Sequence, residues 1–266
     1  MTQLEEKTGS AAKWGPLWGV RARDWAANEE LQVATYEEAI RRVGITPGQR
    51  VLDIGSGAGV FLRLVADRGA EAFGLDASEA LVEIGRERVP EAHLRVGEME
   101  ALPYDDDTFD LVTGFNSFFF AADLVAALRE AQRVAKPRAP VVIQVWGRPE
   151  RNDLEAMKQV ARRYAPPPPP DAPPPPKLWQ PGVLEELASE AGLEPDAAFD
   201  TSYSFEYADA ATLGRLLMAP MGLAELVGPQ REQQVRREIV EALAPYRRPD
   251  GSYRLRNELH FLIARA

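Results

Sequence analysis

Val51-Leu52-Asp53-Ile54-Gly55-Ser56-Gly57-Ala58-Gly59-Val60 is the stretch on which the reading of this chain turns. A short apolar run of strand character passes into a loop with a glycine at every second position, and a helical pattern follows over about 59–68. Glycine carries no Cβ, so backbone at 55, 57 and 59 can approach a ligand closely. The helix behind the loop opens with unsatisfied N–H groups. Two cofactor classes use such a cradle. Dinucleotide binders prefer G-x-G-x-x-G, which requires glycine at position 60. Here position 60 is Val, and the third glycine arrives one residue early.

Outward from this loop the chain alternates strands and helices. Arg50–Ile54, Ala72–Leu75, His93–Val96, Asp110–Gly114 and Val141–Trp146 read as strands, with helices over about 59–68, 78–89 and 121–135. That alternation predicts a parallel sheet covered on both faces, with right-handed crossovers lining the strand C-termini along one rim. Ligands bind at that rim, near the switch in strand order. Asp76 follows the second strand, 23 residues after Asp53 and on the same rim. Its carboxylate suits two ribose hydroxyls; the competing role is a cap for the helix that starts near Ser78.

Upstream, Trp14, Trp18 and Trp25 crowd residues 1–28, where Gly15-Pro16 and Gly19 are expected to break any helix. A helix is predicted from about Asn28 to Val43, and residues 1–45 are read as an N-terminal helical cap on a core at 46–150. Downstream lie a helix at 153–164 and the run Pro-Pro-Pro-Pro-Pro-Asp-Ala-Pro-Pro-Pro-Pro at 166–176, in an insert spanning 151–182. As polyproline II that run is a stiff spacer of roughly 34 Å, at ~3.1 Å per residue. Residues 183–266 complete the sheet, with a helix at 181–191, a strand near 198–206, a helical insert at 209–246 and a last strand at Arg254–Arg265.

Composition narrows the function. The 266 residues hold no cysteine and two histidines, His93 and His260, which excludes thiolate zinc sites and argues against any metal. The formal charge of −10 opposes a nucleic-acid partner. The N-terminus MTQLEEKTGS does not read as a secretory signal, and no apolar run is long enough to span a bilayer. The expectation is a cytoplasmic protein, monomer or homodimer, acting on a small molecule, with neither membrane nor nucleic acid as partner.

Over residues 50–146 the chain resembles the class I S-adenosylmethionine (SAM) dependent methyltransferases, in the branch with ubiquinone- and menaquinone-type enzymes. VLDIGSGAG, GLDAS, GEMEALPYDDDTFDLVTGFNS and REAQRVAKP carry the resemblance, in order and at family spacing. It implies a Rossmann-like, doubly wound α/β fold of seven strands, the last antiparallel, with helical lid insertions. It implies that Asp53 and the loop Gly55, Ser56, Gly57 and Gly59 hold the methionine end of SAM. Asp76 and Ala77 would then serve the ribose, Gly97, Glu98 and Met99 the adenine, and Asn116 and Ser117 the methyl-transfer region. Two departures stand out. Glu98 replaces the usual Asp, and Lys136-Pro137-Arg138-Ala139 replaces Lys-Pro-Gly-Gly, which predicts a different turn before the fifth strand.

Transfer from a sulfonium needs alignment and exclusion of water more than an acid–base pair. Trp25 is therefore expected over the cofactor. Trp18, Phe118, Phe119, Trp146, Trp179 and Met218 are expected around an apolar or aromatic acceptor, with core packing as the competing role for the phenylalanines. Both histidines read as structural. The predicted function is methyl transfer to a small-molecule O, N or C atom. The alternatives are a SAM-binding cyclase or isomerase on the same scaffold, and, more remotely, a nicotinamide-dependent oxidoreductase.

Overall fold

The structure, a computed structural model, describes residues 9–167 and 174–266. Most of the proline run at 166–176 lies outside the described residues, and its spacer role with it. Seven strands form one sheet: β1 Arg50–Ile54, β2 Glu71–Asp76, β3 His93–Val96, β4 Leu111–Phe115, β5 Pro140–Trp146, β6 Glu194–Tyr207 and β7 Tyr253–Arg265. Their order is β3-β2-β1-β4-β5-β7-β6. Strands β1 to β5 are parallel, and β7 runs antiparallel to both β5 and β6. The strand order reverses between β1 and β4, so the loops after these two strands flank the crevice where such sheets bind ligands.

Continuous apolar runs make the central strands, because both faces are covered. Val51, Leu52 and Ile54 of β1 are fully buried. One face packs beneath α6 (Leu124–Val134) and α8 (Val183–Glu190), the other beneath α3 (Val33–Val43) and α4 (Val60–Ala66). The other core crossover is α5 (Glu79–Arg88). Pairing of β5 with β7 ends at Trp146 opposite Leu259, but β6 and β7 continue together to Tyr207 opposite Tyr253. This hairpin projects past the rim. On it a second apolar cluster gathers α7 (Glu155–Arg162), the predicted helix at 153–164, with α9 (Ala210–Leu216), α10 (Leu223–Val227) and α11 (Pro229–Ala242), which fall within the predicted insert at 209–246. Among the described residues no single helix is long and apolar enough to cross a membrane.

Two expectations are corrected. The N-terminal segment is helical, in spite of its glycines and proline: α1 is Ser10–Gly19, with Pro16 inside it, and α2 is Ala22–Glu29. A short 3-10 turn at Glu30–Gln32 links α2 to α3. The glycines serve close packing. A methyl group placed on Gly15 would stand 2.2 Å from the Ala77 carbonyl oxygen, and one on Gly19 3.2 Å from Ser78 Oγ. The second correction concerns the turn before β5. Arg138 takes φ of 65°, the left-handed conformation that glycine usually supplies, and its N–H donates to the Ala266 carbonyl at 2.8 Å. The glycine-type turn is kept at a steric cost instead of being replaced.

Candidate active site

The glycine loop is built as its spacing suggests. Gly55, Gly57 and Gly59 have φ of 78°, 55° and 80°, all in the region that side chains disfavour. Gly55 is also held by contact, since a Cβ there would lie 2.3 Å from that of Ser117. Ser117, just past β4, donates through Oγ to the Ile54 carbonyl at 2.6 Å. The two loops that flank the crevice are thereby locked together. Asn116 adopts φ of 52°. Its N–H donates to the Gln144 carbonyl at 2.9 Å, while its Oδ1 is buried without a partner. Ser56 Oγ is likewise buried and unpaired.

Asp76 fills the cap role and more. Its carboxylate accepts from Ser78 N at 2.8 Å, ahead of α5, and from Gly57 N at 2.9 Å. It therefore fastens the tip of β2 to the glycine loop. Asp53 accepts from Thr113 Oγ1 at 2.7 Å. Just past β3, Gly97 N donates to the Asp76 carbonyl at 3.0 Å. The adjoining Glu98 accepts from Ala11 N and Ser10 Oγ, both at 2.8 Å, so it caps α1. Met99 is partly buried against the core cluster beneath α6 and α8.

A third carboxylate was not foreseen. Glu29, at the end of α2, accepts from Ala58 N at 2.8 Å in the glycine loop and from Val60 N at 3.1 Å at the start of α4. Nothing in its sequence neighbourhood, Asn28-Glu29-Glu30, distinguishes it from a solvated helix end. Its position follows from the docking of α2. Arg88 secures that docking, donating to Ala58 O at 2.5 Å and Ala26 O at 3.2 Å. Trp18 and Trp25 stack edge-to-face at 4.7 Å and pack against the small cluster of Ala22, Ala26, Ala58 and Leu81. The N-terminal helices thus lie directly over the glycine loop and Ala77.

Glu29 and Asp53 are each 3% exposed and Asp76 9%. Burial pushes the Glu29 carboxyl up to about 8, against the N–H groups of Ala58 and Val60 and the charge of Arg88. Burial likewise pushes Asp53 up to about 7, against the Thr113 hydroxyl. Asp76 is raised for the same reason, offset by the N–H groups of Ser78 and Gly57. Buried carboxylates without counter-charges resist ionisation. Arg88, 3.7 Å from Glu29, is the cation nearest this group among the described ion pairs. The crevice is electrostatically suited to a cationic ligand.

The expected acceptor residues divide. Phe118 is core, 1% exposed, and its ring lies where Gly114 would otherwise carry a side chain. Phe119 is half-buried against Phe120 at 4.6 Å, and Phe120 meets Trp14 at 4.8 Å and Trp18 at 5.6 Å. Trp146 ends β5 and touches both the core and the hairpin cluster. Met218 is buried inside the helical insert. Trp179 lies in the turn before α8, beside the core residue Leu178. His93 is exposed and stacks on Phe73 at 4.7 Å. His260 is buried, its Nδ1 2.7 Å from Asp200 Oδ1.

Residues 52–143 match the family described as a methyltransferase domain. The matched stretch runs from β1 into β5 and includes the glycine loop, Asp76 and Glu98. The chain is 36% identical over 107 residues to a demethylmenaquinone methyltransferase of Renibacterium salmoninarum, covering 40% of this chain and 45% of that protein. It is 36% identical over 115 residues to a malonyl-[acyl-carrier protein] O-methyltransferase of Halorhodospira halophila, covering 41% and 39%. The matches therefore span less than half the length of these relatives. Among solved structures, the YcgJ protein of Bacillus subtilis superposes with a TM-score of 0.59 at 19% identity, over 87% of this chain and 97% of that one. That likeness supports the fold, seven strands with β7 antiparallel.

Proposed function

We propose that this protein transfers a methyl group from SAM to a small-molecule acceptor with an apolar or aromatic body. The observation that carries the reading is the group of three buried carboxylates, Glu29, Asp53 and Asp76, around a left-handed glycine loop at the sheet's switch point. SAM carries an ammonium and a sulfonium against one carboxylate, so it adds net positive charge to that of Arg88, and its sulfonium supplies the activated methyl. Asp53 and the loop residues Gly55, Ser56, Gly57 and Gly59 hold the amino-acid end. Asp76 and Ala77 take the ribose, and Gly97, Glu98 and Met99 take the adenine. Asn116 and Ser117 border the reacting methyl, with the unpaired Asn116 Oδ1 available to a ligand. Helices α1 and α2, with Trp18 and Trp25, exclude water from above.

Acceptor chemistry follows from what surrounds this point. Phe119 and Trp146 present partly buried aromatic surface near the ends of β4 and β5. The negative overall charge disfavours nucleic acid. Titration calorimetry with SAM, S-adenosylhomocysteine (SAH) and NADH tests the cofactor assignment: the first two bind and NADH does not. Binding of NADH with no SAM signal would sink it. A screen for SAH release across phenols, acids and amines then tests the activity.

A further inference from the structure

We propose that Lys158 binds the acceptor: its amine, held over the face of Trp146 where the sheet meets the helical insert, pairs with an anionic oxygen of the methyl acceptor, a carboxylate or phenolate on an apolar body. This rests on the methyl-transfer reading above and narrows its substrate class.

Trp146 is the last residue of β5 and bridges the core cluster beneath α3 and α4 to the cluster on the projecting hairpin. Helix α7 lies across it. Leu154, just before that helix, and its Met157 and Val160 are buried in the hairpin cluster, while Lys158 places Nζ 4.2 Å from the indole centroid. The ammonium makes no side-chain hydrogen bond or ion pair among the described residues. Its helix neighbour Arg162, by contrast, is paired with Glu155 at 2.5 Å. A ring face stabilises a cation without neutralising it or using its N–H donors. Lys158 is therefore a half-buried cation with three donors to give. Burial lowers its pKa to about 8, so it is still mostly charged at neutral pH.

A second observation points to a ligand on the same face of β5. Gln144 precedes Trp146 by two residues, so its side chain leaves the same face of β5. It is fully buried, and neither its amide oxygen nor its nitrogen has a partner. Asn116 Oδ1 is in the same condition, and the Asn116 N–H is bonded to the Gln144 carbonyl. Buried polar groups in native proteins are nearly always paired. Three unpaired amide atoms next to the methyl-transfer region, with an unpaired ammonium over Trp146, describe a site for a polar, negatively charged group on a flat apolar body. A neutral acceptor would leave Lys158 uncompensated, and a cationic one would be repelled. An acceptor bound as its anion also brings no proton to be removed, so its methylation needs no general base.

The test uses paired probes, 1-naphthoate and its neutral twin 1-naphthamide, titrated into SAH-loaded wild type, Lys158→Met and Lys158→Arg. Wild type should bind the anion at least about tenfold tighter than the amide, the scale of a charge-assisted contact. Lys158→Met should erase the preference while SAH affinity and melting temperature hold, and Lys158→Arg should restore part of it. Equal binding of both probes, binding of neither, or a preference that survives in folded Lys158→Met overturns the proposal. Failure of wild type to bind SAH is a separate signal, and it would overturn the methyl-transfer reading itself.

Discussion

Glu29 and Asp76 show what a residue can carry in two states of the site. Glu29 has a folded-state pKa of about 8 against an ordinary value of 4.5. The native protein therefore keeps a proton that the unfolded chain has lost, and stability falls as pH rises across that window. Glu29→Gln should flatten the slope of unfolding free energy between pH 5 and pH 8, measured by urea titration in the absence of cofactor. An unchanged slope would mean that Glu29 is ionised throughout. Asp76 accepts two backbone N–H groups, so Asp76→Ala removes a loop fastening along with the proposed ribose contact. At roughly 1.5–3 kcal/mol per charge-assisted bond, SAM affinity should fall at least about tenfold. An unaltered dissociation constant would leave Asp76 as a cap alone. Asp76 was legible in the sequence because strand, loop and acid recur at a readable spacing. Glu29 was not, because its partners Ala58 and Val60 are about thirty residues away and reach it only through tertiary docking.

At the scale of elements, the core strands were readable and helices α1 and α2 were not placed, for one physical reason. Central parallel strands are apolar along their whole length, so their pattern is local. Helix α1 contradicts its local propensities, with Gly15, Pro16 and Gly19 inside it, and forms because the glycines let it sit against Ala77 and Ser78. Gly15→Val should push α1 off Ala77. Hydrogen exchange over residues 10–29 should then accelerate while β1 to β5 remain protected, and SAM affinity should drop. Retained protection would show that α1 does not depend on this contact. In wild type, SAH should raise protection over 14–28, and more weakly over 209–225; a response confined to the glycine loop and the regions around 76 and 98 would mean that the lid is absent. The turn before β5 offers an independent check. Arg138 pays for its left-handed backbone, so Arg138→Gly should stabilise the fold by about 0.5–1 kcal/mol, seen as a higher urea midpoint. A lower midpoint would mean that the Arg138 side chain contributes more than its backbone costs.

For the molecule as a whole, charge is the property that links stability to function. The chain carries 41 acidic against 31 basic residues, and three of the acids are buried at one crevice. Without a ligand, burial keeps Glu29 and Asp53 partly protonated near neutral pH, at about 8 and about 7. A cation bound beside them favours their ionised forms and lowers both values. Binding must then release protons, and by linkage the affinity must rise with pH through the same interval. SAM brings a sulfonium and an ammonium, SAH the ammonium alone, so the two ligands should differ in the protons they displace. Calorimetric enthalpies at pH 7.5, measured in phosphate and in Tris, report that number through the buffers' different ionisation heats. The expected result is net proton release, greater for SAM than for SAH and diminished in Glu29→Gln. Binding enthalpies that do not depend on the buffer, or net proton uptake, would show that the buried carboxylates do not face the charged part of the cofactor. The ligand's orientation in the crevice would then have to be reversed.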